Sequence, residues 1–379
     1  MDKTFIRRDI TDAVAARLGQ GKAIVIYGAR QVGKTTFVRH LTAGMSDVTY
    51  FNGDERDDRA RLSDKTSTEL RALVGSAKTV VIDEAQRIEN VGLTIKLFVD
   101  TMPDVQVIAT GSSSFELANK IREPLTGRAL EFHLHPFSIN ELARAASTRE
   151  VDRLLDRRIV HGMYPEAVLS ADPEAVLGSI AENYLFRDIL AYEGIRKPRL
   201  VESLVKLLAV SVGSEVSFTE LANTLDVSRQ TIESYVSILE QAFIVFSVTP
   251  FHENLRSELT KKRKIYFCDT GIRNAILDAY QSDMDTRTDT GALFENFVFA
   301  EMRKKYDNAG KRATLHFWRT HDGQEVDLIA KEAEVVVAHE IKWREQSYTA
   351  PPAWKAIRTV PVSLIHRGNC VGEFAQSSS

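Results

Sequence analysis

Short apolar runs alternate with segments of helical periodicity in the first third of the chain. The runs are almost uninterrupted, which is typical of strands buried on both faces of a parallel sheet. Between them, apolar residues recur every three or four positions, and this spacing predicts helices that cover the sheet. The predicted strands are Ala23–Tyr27, Val48–Phe51, Thr79–Ile82, Val105–Ala109 and Leu130–Leu134, and the predicted helices or parts of helices are Thr35–Leu41, Ser67–Val74 and Leu93–Thr101. The pattern predicts a doubly wound α/β domain.

The pattern changes twice after these strands. Pro136 ends the regular structure because it cannot donate a backbone hydrogen bond, and a helix-rich stretch follows over residues 139–208. Near residue 213 a helix-turn-helix pattern begins, in which Ser228 caps the second helix and Phe243–Val248 forms the strand of a wing. Later strands are predicted at Ile265–Cys268, Thr314–Trp318, Val326–Ala330 and Val335–Ile341. We therefore expect an α/β domain over residues 1–135, a helical lid or linker over 136–212, a winged-helix segment over 213–250 and a C-terminal α/β domain over 251–379.

Composition and charge narrow the function classes without identifying one. The chain has 379 residues, of which 44% are hydrophobic and 27% charged, as in ordinary soluble proteins. Its net charge of −3 argues against coating nucleic acid by bulk electrostatics, so any DNA site must be a local patch. Cys268 and Cys370 are far apart and lack neighbouring metal ligands, which argues against a disulfide framework. No stretch approaches the roughly 18 apolar residues of a membrane span, and no apolar leader follows Met1, so we expect a cytoplasmic protein without a membrane partner.

A phosphate-binding motif follows the first predicted strand. Residues Gly28–Thr35 have the spacing Gly-x-x-x-x-Gly-Lys-Thr between an apolar strand and a helix, as the motif requires. The loop turns backbone N–H groups toward phosphates, Lys34 reaches the β- and γ-phosphates, and Thr35 gives its hydroxyl to Mg²⁺. The expected ATP-contacting residues are Gly28, Ala29, Arg30, Gln31, Val32, Gly33, Lys34 and Thr35, with Thr36 supporting the helix. The alternative, a glycine-rich turn with a solvated lysine, does not explain the flanking strand and helix.

Two acids end the third predicted strand and strengthen the nucleotide interpretation. We expect Asp83 to hold the Mg²⁺ shell and Glu84 to polarise the attacking water. Carboxylates at a strand end are often only a solvated turn. In the same parallel sheet as a phosphate-binding loop, however, they favour ATP hydrolysis over binding alone.

Hydroxyl and guanidinium groups after the fourth predicted strand add further candidates. Thr110 and Ser112 are candidate sensors of the γ-phosphate, although a Ser-rich loop that caps the following helix explains either hydroxyl equally well. Arg122 and Arg128 are candidate arginine fingers, which stabilise charge on the transferring phosphoryl group and are often supplied by a neighbouring subunit. For each, a surface arginine is the alternative. A finger acting in trans would require a homo-oligomer.

These motifs together resemble prokaryotic AAA-type ATPases that carry an uncharacterised C-terminal domain. The resemblance rests on the phosphate-binding loop and on Asp83–Gln86, Thr110–Ser114, Leu125–Arg128 and His135–Ser138. It continues in Gly162–Glu166, Tyr184–Ile189 and Tyr266–Asn274, and so covers nearly the whole chain. It implies an enzyme that uses ATP and Mg²⁺ and has a nuclease-like C-terminal fold. One departure is Met163, which stands where a second glycine would be more usual.

Acids and a lysine in two late strands resemble the core of PD-(D/E)xK, or restriction-endonuclease-like, nucleases. If the strands form a hairpin, Asp327 lies across from Glu340, and Glu325 lies across from Lys342 on the same face. The resemblance implies that Asp327 and Glu340 bind Mg²⁺ and that Lys342 orients the attacking water. Glu295, on a predicted helical stretch, could complete this site. The alternative is the exposed polar face of an amphipathic hairpin, which simple alternation produces readily.

The sequence leaves two alternatives for the partner of the ATPase, DNA and protein. The residues expected on or near a recognition helix are Ser228, Arg229, Gln230 and Tyr235. Seven acids stand against five lysines or arginines over residues 213–263, which disfavours phosphate contacts. The basic run Lys261–Lys264 could form a patch, but such a run is more often a solvated loop. The leading hypothesis is an ATPase coupled to a DNA transaction; the alternative is a regulatory switch that binds protein and has a vestigial nuclease-like domain.

Overall fold

Two β-sheets organise the chain in a computed structural model that describes residues 5–112, 125–183, 195, 197–251, 262–357 and 360–375. The first sheet has five strands and the second has seven. One apolar core cluster includes buried residues from both sheets and from the helices between them. No helix within these ranges has the length and hydropathy of a membrane span.

The first sheet contains the strands predicted in the first third of the chain. The strands are β1 (Ala23–Tyr27), β2 (Val48–Asn52), β3 (Thr79–Asp83), β4 (Gln106–Gly111) and β5 (Ala129–His133). They are parallel, in the order β2-β3-β4-β1-β5. The helices are α1 (Thr11–Ala15), α2 (Lys34–Thr42), α3 (Arg56–Leu62), α4 (Ser67–Val74) and α5 (Val91–Thr101), and a 3-10 turn spans Ala85–Arg87. All residues of β1 and β3 are buried, as strands covered on both faces should be. The predicted parallel α/β sheet is confirmed.

The strand order sets which residues meet at the edge of the first sheet. Because the strands are parallel, their carboxyl ends lie at the same edge. β4 lies between β1 and β3, with Thr110 opposite Ile26 and Ala109 opposite Ile82. Thr110 therefore stands between the end of β1, where the phosphate-binding loop starts, and Asp83 at the end of β3.

A run of helices follows the first sheet. The helices are α6 (Ile139–Ala145), α7 (Thr148–Arg153), α8 (Leu155–His161), α9 (Pro165–Leu169), α10 (Pro173–Ile180) and α11 (Pro198–Val210). A capping box starts α6: the Ser138 hydroxyl accepts from the N–H of Glu141 at 3.0 Å, and the Glu141 carboxylate accepts from the N–H of Ser138 at 3.1 Å. Proline is the first residue of α9, α10 and α11, where its missing N–H would be unpaired in any case.

The second sheet is mixed. Its strands are β6 (Glu215–Val216), β7 (Val245–Pro250), β8 (Arg263–Phe267), β9 (Ala313–Arg319), β10 (Glu325–Glu332), β11 (Val335–Ile341) and β12 (Val362–Ile365), in the order β12-β11-β10-β9-β7-β8-β6. The pairs β11–β12 and β7–β9 are parallel and the others are antiparallel. The remaining helices are α12 (Phe218–Thr224), α13 (Arg229–Gln241), α14 (Thr270–Leu277), α15 (Thr290–Asn308), α16 (Pro352–Ile357) and α17 (Cys370–Phe374).

The boundary expected at residue 250 does not separate two sheets. The strand predicted as a wing, β7, pairs with β8 on one side and with β9 on the other, where Thr249 lies opposite His316 and Pro250 opposite Phe317. It also starts two residues later than predicted, because Phe243, with φ of 56°, still belongs to the turn after α13. A strand pattern predicts a strand but not its partner, and here the partner lies more than sixty residues away.

Helix α15 joins the two halves of the molecule. The Glu301 carboxylate accepts from the N–H of Ile139 at 2.8 Å, and the Lys304 amine donates to the carbonyl of Phe137 at 2.8 Å. Glu301 and Lys304 are themselves paired at 2.7 Å, and both are buried. The segment that leaves the first sheet is therefore fixed to a helix that packs on the second sheet.

Candidate functional site

The phosphate-binding loop is shaped by two glycines and a buried lysine. Gly33 has φ of 93°, a conformation that side chains disfavour. A Cβ on Gly28 would lie 2.3 Å from the carbonyl oxygen of Leu134, so a larger residue has no room. Lys34 starts α2, and its amine donates to the carbonyls of Gly28 at 3.0 Å and Ala29 at 2.9 Å. The backbone of the loop thus encloses the amine.

The charge of Lys34 is not matched by an ion pair. Within the described residues, no carboxylate lies within ion-pair distance of its amine. The residue is buried, with 5% of its surface exposed. Burial lowers the pKa of Lys34 to about 8, although Glu84 and Asp83 act to raise it. A buried cation without a counter-ion is costly, and a bound anion relieves that cost. This arrangement suits phosphate.

Asp83, at the end of β3, collects three hydroxyl groups. Its Oδ2 accepts from Thr35 Oγ1 at 2.7 Å and from Tyr50 OH at 2.7 Å. Its Oδ1 accepts from Thr110 Oγ1 at 2.5 Å. The side chain is almost fully buried, so these bonds fix its orientation. The structure therefore places the two predicted Mg²⁺ ligands, Thr35 and Asp83, in direct contact.

Glu84 belongs to the same hydrogen-bonded group. Its backbone is left-handed, with φ of 49°, which is uncommon for a residue with a side chain. Its N–H donates to Thr110 Oγ1 at 3.1 Å. Its carboxylate accepts from Gln86 Nε2 at 2.6 Å, and Gln86 also donates to Ser112 Oγ at 2.9 Å. The acid predicted to activate water and both predicted sensor hydroxyls thus come together, although both hydroxyls are buried and engaged within the protein.

Three residues of this region were not predicted from the sequence. Tyr50 and Gln86 hold the two acids, and Arg8, which is 4% exposed, donates to the carbonyl of Val32 at 2.8 Å and to Glu141 at 3.0 Å. Arg8 therefore ties the phosphate-binding loop to the start of α6. Gln86 lies within a recognised motif, but Tyr50 and Arg8 lie in segments without a motif, so only their contacts reveal them.

A cavity of about 300 Å³ opens beside the loop. Its apolar walls are Phe5, Ile6, Val32, Phe137, Pro165 and Leu169. Gln31, Gly33 and Thr36 contribute from the loop and from the start of α2. The cavity is large enough for a flat ring system and lies next to the loop that would hold phosphates.

The structure describes one of the two candidate arginine fingers. Arg122 lies outside the described residues. Arg128 lies at the start of β5, where its carbonyl accepts from the N–H of Ala23, and its guanidinium pairs with Asp100 at 2.6 Å. The loop is at the other end of β1, about 17 Å away at 3.3 Å per residue. Arg128 therefore does not reach the phosphate-binding loop of its own chain.

The hairpin of β10 and β11 has the predicted register. Residues 328–332 pair with residues 339–335, and Asp327 and Glu340 come directly beyond the last of these pairs. Lys342 Nζ lies 3.0 Å from Asp327 Oδ2 and 2.6 Å from Glu340 Oε1. Burial and the neighbouring Asp327 raise the pKa of Glu340, against the effect of Lys342. The two acids and the lysine predicted for a nuclease-like site are thus in contact.

Glu295 does not join Asp327 in a compact set of three metal ligands among the described residues. Instead, Lys264 Nζ lies 3.0 Å from Glu295 Oε1 and 2.8 Å from Glu325 Oε1, and Tyr266 OH donates to Glu295 at 2.5 Å. Lys264 is 3% exposed, so the end of the supposed solvated run is buried in β8. Burial alone would lower the pKa of Lys264, but Glu295 and Glu325 raise it above its usual value. The C-terminal cluster, as used below, comprises Lys264, Glu295, Glu325, Asp327, Glu340 and Lys342.

The predicted recognition helix, α13, offers little positive charge. Ser228 caps its start by accepting from the N–H of Thr231 at 3.1 Å, and Arg229 pairs with Glu233 at 2.9 Å. Gln230 is exposed, but Tyr235 is buried and only 5% exposed. Tyr235 therefore packs in the core and is not available for a DNA contact, which corrects that expectation.

Comparison with protein families divides the chain into three matched segments. Residues 20–143 match an AAA domain, residues 152–283 match a domain of unknown function (DUF8612), and residues 290–360 match a second domain of unknown function (DUF4143). The first segment contains the phosphate-binding loop, Asp83, Glu84 and the first sheet. The match of residues 20–143 to an AAA domain supports ATP binding.

Similar proteins extend the likeness beyond the AAA domain. Uncharacterized proteins of Mycobacterium tuberculosis and Mycobacterium bovis are each 28% identical over 365 residues, covering 94% of this chain and 78% of the relative. Among solved structures, a Walker-type ATPase of Pyrococcus abyssi has a TM-score of 0.51 and 15% identity, covering 73% of this chain and 97% of that chain. At this identity the structural likeness shows the fold alone, that of a P-loop ATPase.

Proposed function

We propose that the chain binds Mg²⁺-ATP at the phosphate-binding loop and hydrolyses it. The observation that carries this proposal is the contact between the Thr35 hydroxyl and the buried Asp83 carboxylate, 2.7 Å apart, beside a buried lysine that forms no ion pair with any described carboxylate. These are oxygen ligands of the kind that Mg²⁺ prefers, and they lie at the mouth of a loop suited to phosphate. A structural glycine-rich turn would not need this combination.

Each residue has a role in the proposed reaction. Thr35 and Asp83 would hold Mg²⁺, which when bound neutralises charge on the phosphate oxygens. Lys34 exchanges its two carbonyl contacts for the β- and γ-phosphates. Glu84 orients the attacking water and accepts its proton, while Thr110 keeps Asp83 and the backbone of Glu84 in register through bonds of 2.5 and 3.1 Å. The apolar cavity beside Val32 receives the base of the nucleotide.

Two substitutions test the nucleotide site. Lys34→Ala removes the buried amine that we propose binds the phosphates, so we expect loss of ATP binding in a fluorescent-nucleotide titration. Glu84→Gln keeps the side-chain size but cannot accept a proton, so we expect bound ATP with hydrolysis reduced about a thousandfold or more. The matched controls are Lys22→Ala, at the other edge of the sheet, and Glu89→Gln, which is exposed. Normal hydrolysis by both Lys34→Ala and Glu84→Gln would refute the proposal.

Arg128 provides a test of assembly. Because it lies at the sheet edge opposite its own loop, it could serve as a finger only for the site of a second subunit in a homo-oligomer. Light scattering with and without ATP measures the assembly directly. If an ATP-dependent oligomer forms, Arg128→Ala should lower hydrolysis in it while leaving ATP binding intact. A monomer under all conditions would exclude the trans finger.

We also propose, as a second candidate function, metal-dependent cleavage of DNA at the C-terminal cluster. The supporting observation is that the amine of Lys342 lies within 3.0 Å of both Asp327 and Glu340, with the lysine side chain 38% exposed. In this function the ATPase acts in a DNA transaction. The carboxylates would hold Mg²⁺, and Lys342 would orient the water that attacks the phosphodiester.

A cleavage assay separates this function from the alternative of a regulatory switch that binds a protein partner. Plasmid and single-stranded DNA are incubated with Mg²⁺ or Mn²⁺ and with the intact chain, Asp327→Ala or Lys342→Ala. The exposed hairpin-turn variant Glu334→Ala serves as the control. Cleavage lost in both variants and kept in the control supports a nuclease. Absence of cleavage by every form refutes it and favours a switch whose C-terminal cluster is structural.

A further inference from the structure

Two histidines and an aspartate meet where the first sheet touches α15. His133 is the last residue of β5, His135 follows two residues later, and Asp307 lies in the last turn of α15. One ligand atom from each lies within 4.8 Å of the other two, and His135 Nε2 is 2.8 Å from Asp307 Oδ2. Among the described residues, no other three histidine, cysteine, aspartate or glutamate side chains come together in this way.

Hydrogen bonding explains only part of this arrangement. The bond between His135 and Asp307 satisfies one ring, but the ring of His133 has no hydrogen-bond partner among the described residues. Its nearest rings are Tyr27, His135 and Phe243, which it meets edge to face at 6.0, 6.3 and 5.6 Å. A partly buried imidazole normally finds a partner for its ring nitrogens. A ligand bound jointly by His133, His135 and Asp307 would supply the missing partner.

We infer that His133, His135 and Asp307 form a binding site for Zn²⁺ or a cation of the same class. In a tetrahedral site with bonds of about 2.0–2.1 Å, ligand atoms are about 3.3 Å apart. Here His135 Nε2 and Asp307 Oδ2 are 2.8 Å apart, and the other ligand atoms lie within 4.8 Å of one another, so small side-chain movements close the site. Asp307 is 30% exposed, which leaves a water access to the fourth position.

The ligand types distinguish this site from the nucleotide site. Imidazole nitrogens suit zinc, whereas Mg²⁺ prefers six oxygen ligands and retains several waters. Arg303 is the competing cation, with Nε 3.6 Å from Asp307 Oδ2. Its guanidinium also lies 5.0 Å from the centre of the Phe246 ring and 3.6 Å from Cys268 Sγ. If a metal binds Asp307, Arg303 can therefore retain its contacts with Phe246 and Cys268.

A bound cation would join the base of the phosphate-binding loop to the second half of the molecule. His133 lies opposite Tyr27, the last residue of β1, and the N–H of Leu134 donates to the carbonyl of Tyr27 at 2.7 Å. The carbonyl of Leu134 in turn packs against Gly28. Asp307 belongs to α15, whose other contacts fix the segment after β5. The site would therefore stabilise the junction on which the loop rests.

Metal binding by the full chain tests the inference. Protein stripped with a chelator is titrated with Zn²⁺ in excess Mg²⁺, and Co²⁺ is used as a visible-absorption probe of tetrahedral coordination. We expect one Zn²⁺ per chain, tetrahedral Co²⁺ bands, and a rise in the thermal midpoint of about 5 °C with zinc. His133→Gln and Asp307→Asn should weaken zinc binding more than about a hundredfold, since even outer-shell changes cost 10–100-fold.

The variants are chosen so that misfolding does not mimic loss of a ligand. His133→Gln removes a ring that has no hydrogen-bond partner in the part of the chain that the structure describes, and Asp307→Asn keeps the size and a hydrogen-bonding oxygen. The metal-free variants should unfold within a few degrees of the metal-free parent, and His321→Gln, an exposed histidine elsewhere, should bind zinc as the parent does. Zinc binding that is absent in the parent, or unchanged in His133→Gln, would overturn the inference.

Discussion

In the candidate nucleotide site, the amine of Lys34 is hydrogen-bonded, among the described residues, only to carbonyl oxygens of its own loop. In the C-terminal cluster, by contrast, each lysine is held by two carboxylates. Lys342 pairs with Asp327 and Glu340, and Lys264 pairs with Glu295 and Glu325. In the first site the acid Asp83 is bonded to neutral hydroxyls instead. Lysine and carboxylate charges are therefore not paired with each other in the first region, whereas they form ion pairs in the second.

The pKa values follow this difference. Burial lowers the pKa of Lys34 to about 8, while the paired carboxylates raise the pKa values of Lys264 and Lys342 against the effect of burial. A ligand of the first site supplies the charge that the fold leaves out. A ligand of the second site must displace an ion pair that already exists, which costs free energy before any chemistry. The comparison predicts that the first region responds mainly in activity and the second mainly in stability.

The same isosteric change at the two sites gives the largest expected contrast. Asp83→Asn removes the charge that we propose binds Mg²⁺ and should lower ATP hydrolysis at saturating Mg²⁺-ATP by about a thousandfold, or about 4 kcal/mol. Asp327→Asn should leave ATP hydrolysis within about twofold of the parent and lower the unfolding free energy by about 2 kcal/mol, because Lys342 loses one of its two partners. The measurements are kcat for ATP and urea-induced unfolding.

This contrast also has a clear way to fail. If Asp327→Asn lowers kcat as strongly as Asp83→Asn, the C-terminal cluster takes part in the ATPase cycle. If neither change affects kcat, the assignment of Asp83 as a metal ligand is wrong.

Removing the amines should show the same contrast in stability. Lys264→Met leaves Glu295 and Glu325 as two close, largely buried carboxylates without a cation, and should lower the unfolding free energy by about 3 kcal/mol. Lys34→Met removes an amine that burial penalises and should change stability by less than about 1 kcal/mol while abolishing nucleotide binding. Urea unfolding of the two variants is the measurement. Equal losses would show that Lys264 is not balanced by the carboxylates as its distances imply.

The first region was largely predictable because its signals are local. An uninterrupted apolar run specifies β1 with the observed bounds, and Ser67–Val74 matches α4 because Thr66 and Glu69 form a capping box at its start. The spacing of the phosphate-binding motif fixes Lys34 and Thr35 on one helix start. The strand ends bring Asp83 and Thr110 together because parallel strands share an edge.

The second region depends on contacts that sequence spacing does not encode. The hairpin register of Asp327 and Glu340 is local and was predicted, but the place of Lys264 depends on which strand pairs with β8 and which helix covers it. A basic run looks the same whether its last lysine is solvated or buried. For the same reason the roles of Tyr50 and Arg8 at the candidate nucleotide site are not predictable from the sequence, because each contacts a partner more than twenty residues away.

A buried hydroxyl tests how finely the first region is arranged. Thr110→Val keeps the shape of the side chain but removes the bond to Asp83 and the acceptor for the N–H of Glu84. Hydrogen bonds to charged groups contribute about 2 kcal/mol, so kcat should fall about thirtyfold with little change in ATP affinity. Thr94→Val, which removes a buried bond to the carbonyl of Leu62, is the control and should not alter kcat. A normal kcat in Thr110→Val would mean that the acids are positioned without it.

The smallest effect, and the most specific to the comparison, is on pH dependence. With a pKa of about 8 in the free protein, Lys34 loses its proton above pH 8, so the apparent Kd for ATP should rise about tenfold between pH 7 and pH 9. The effect on stability has the opposite direction. Between pH 8 and 10.5 the unfolded chain keeps the Lys34 proton and the folded chain loses it, so the unfolding free energy should increase as the pH rises through this range. Lys264, whose pKa is raised, contributes fully below pH 10.5 and loses its contribution only above it. Lys34→Arg keeps its charge throughout this range, so its Kd, measured by the same titration, should not vary with pH; a tenfold rise in this variant too would assign the titration to another group.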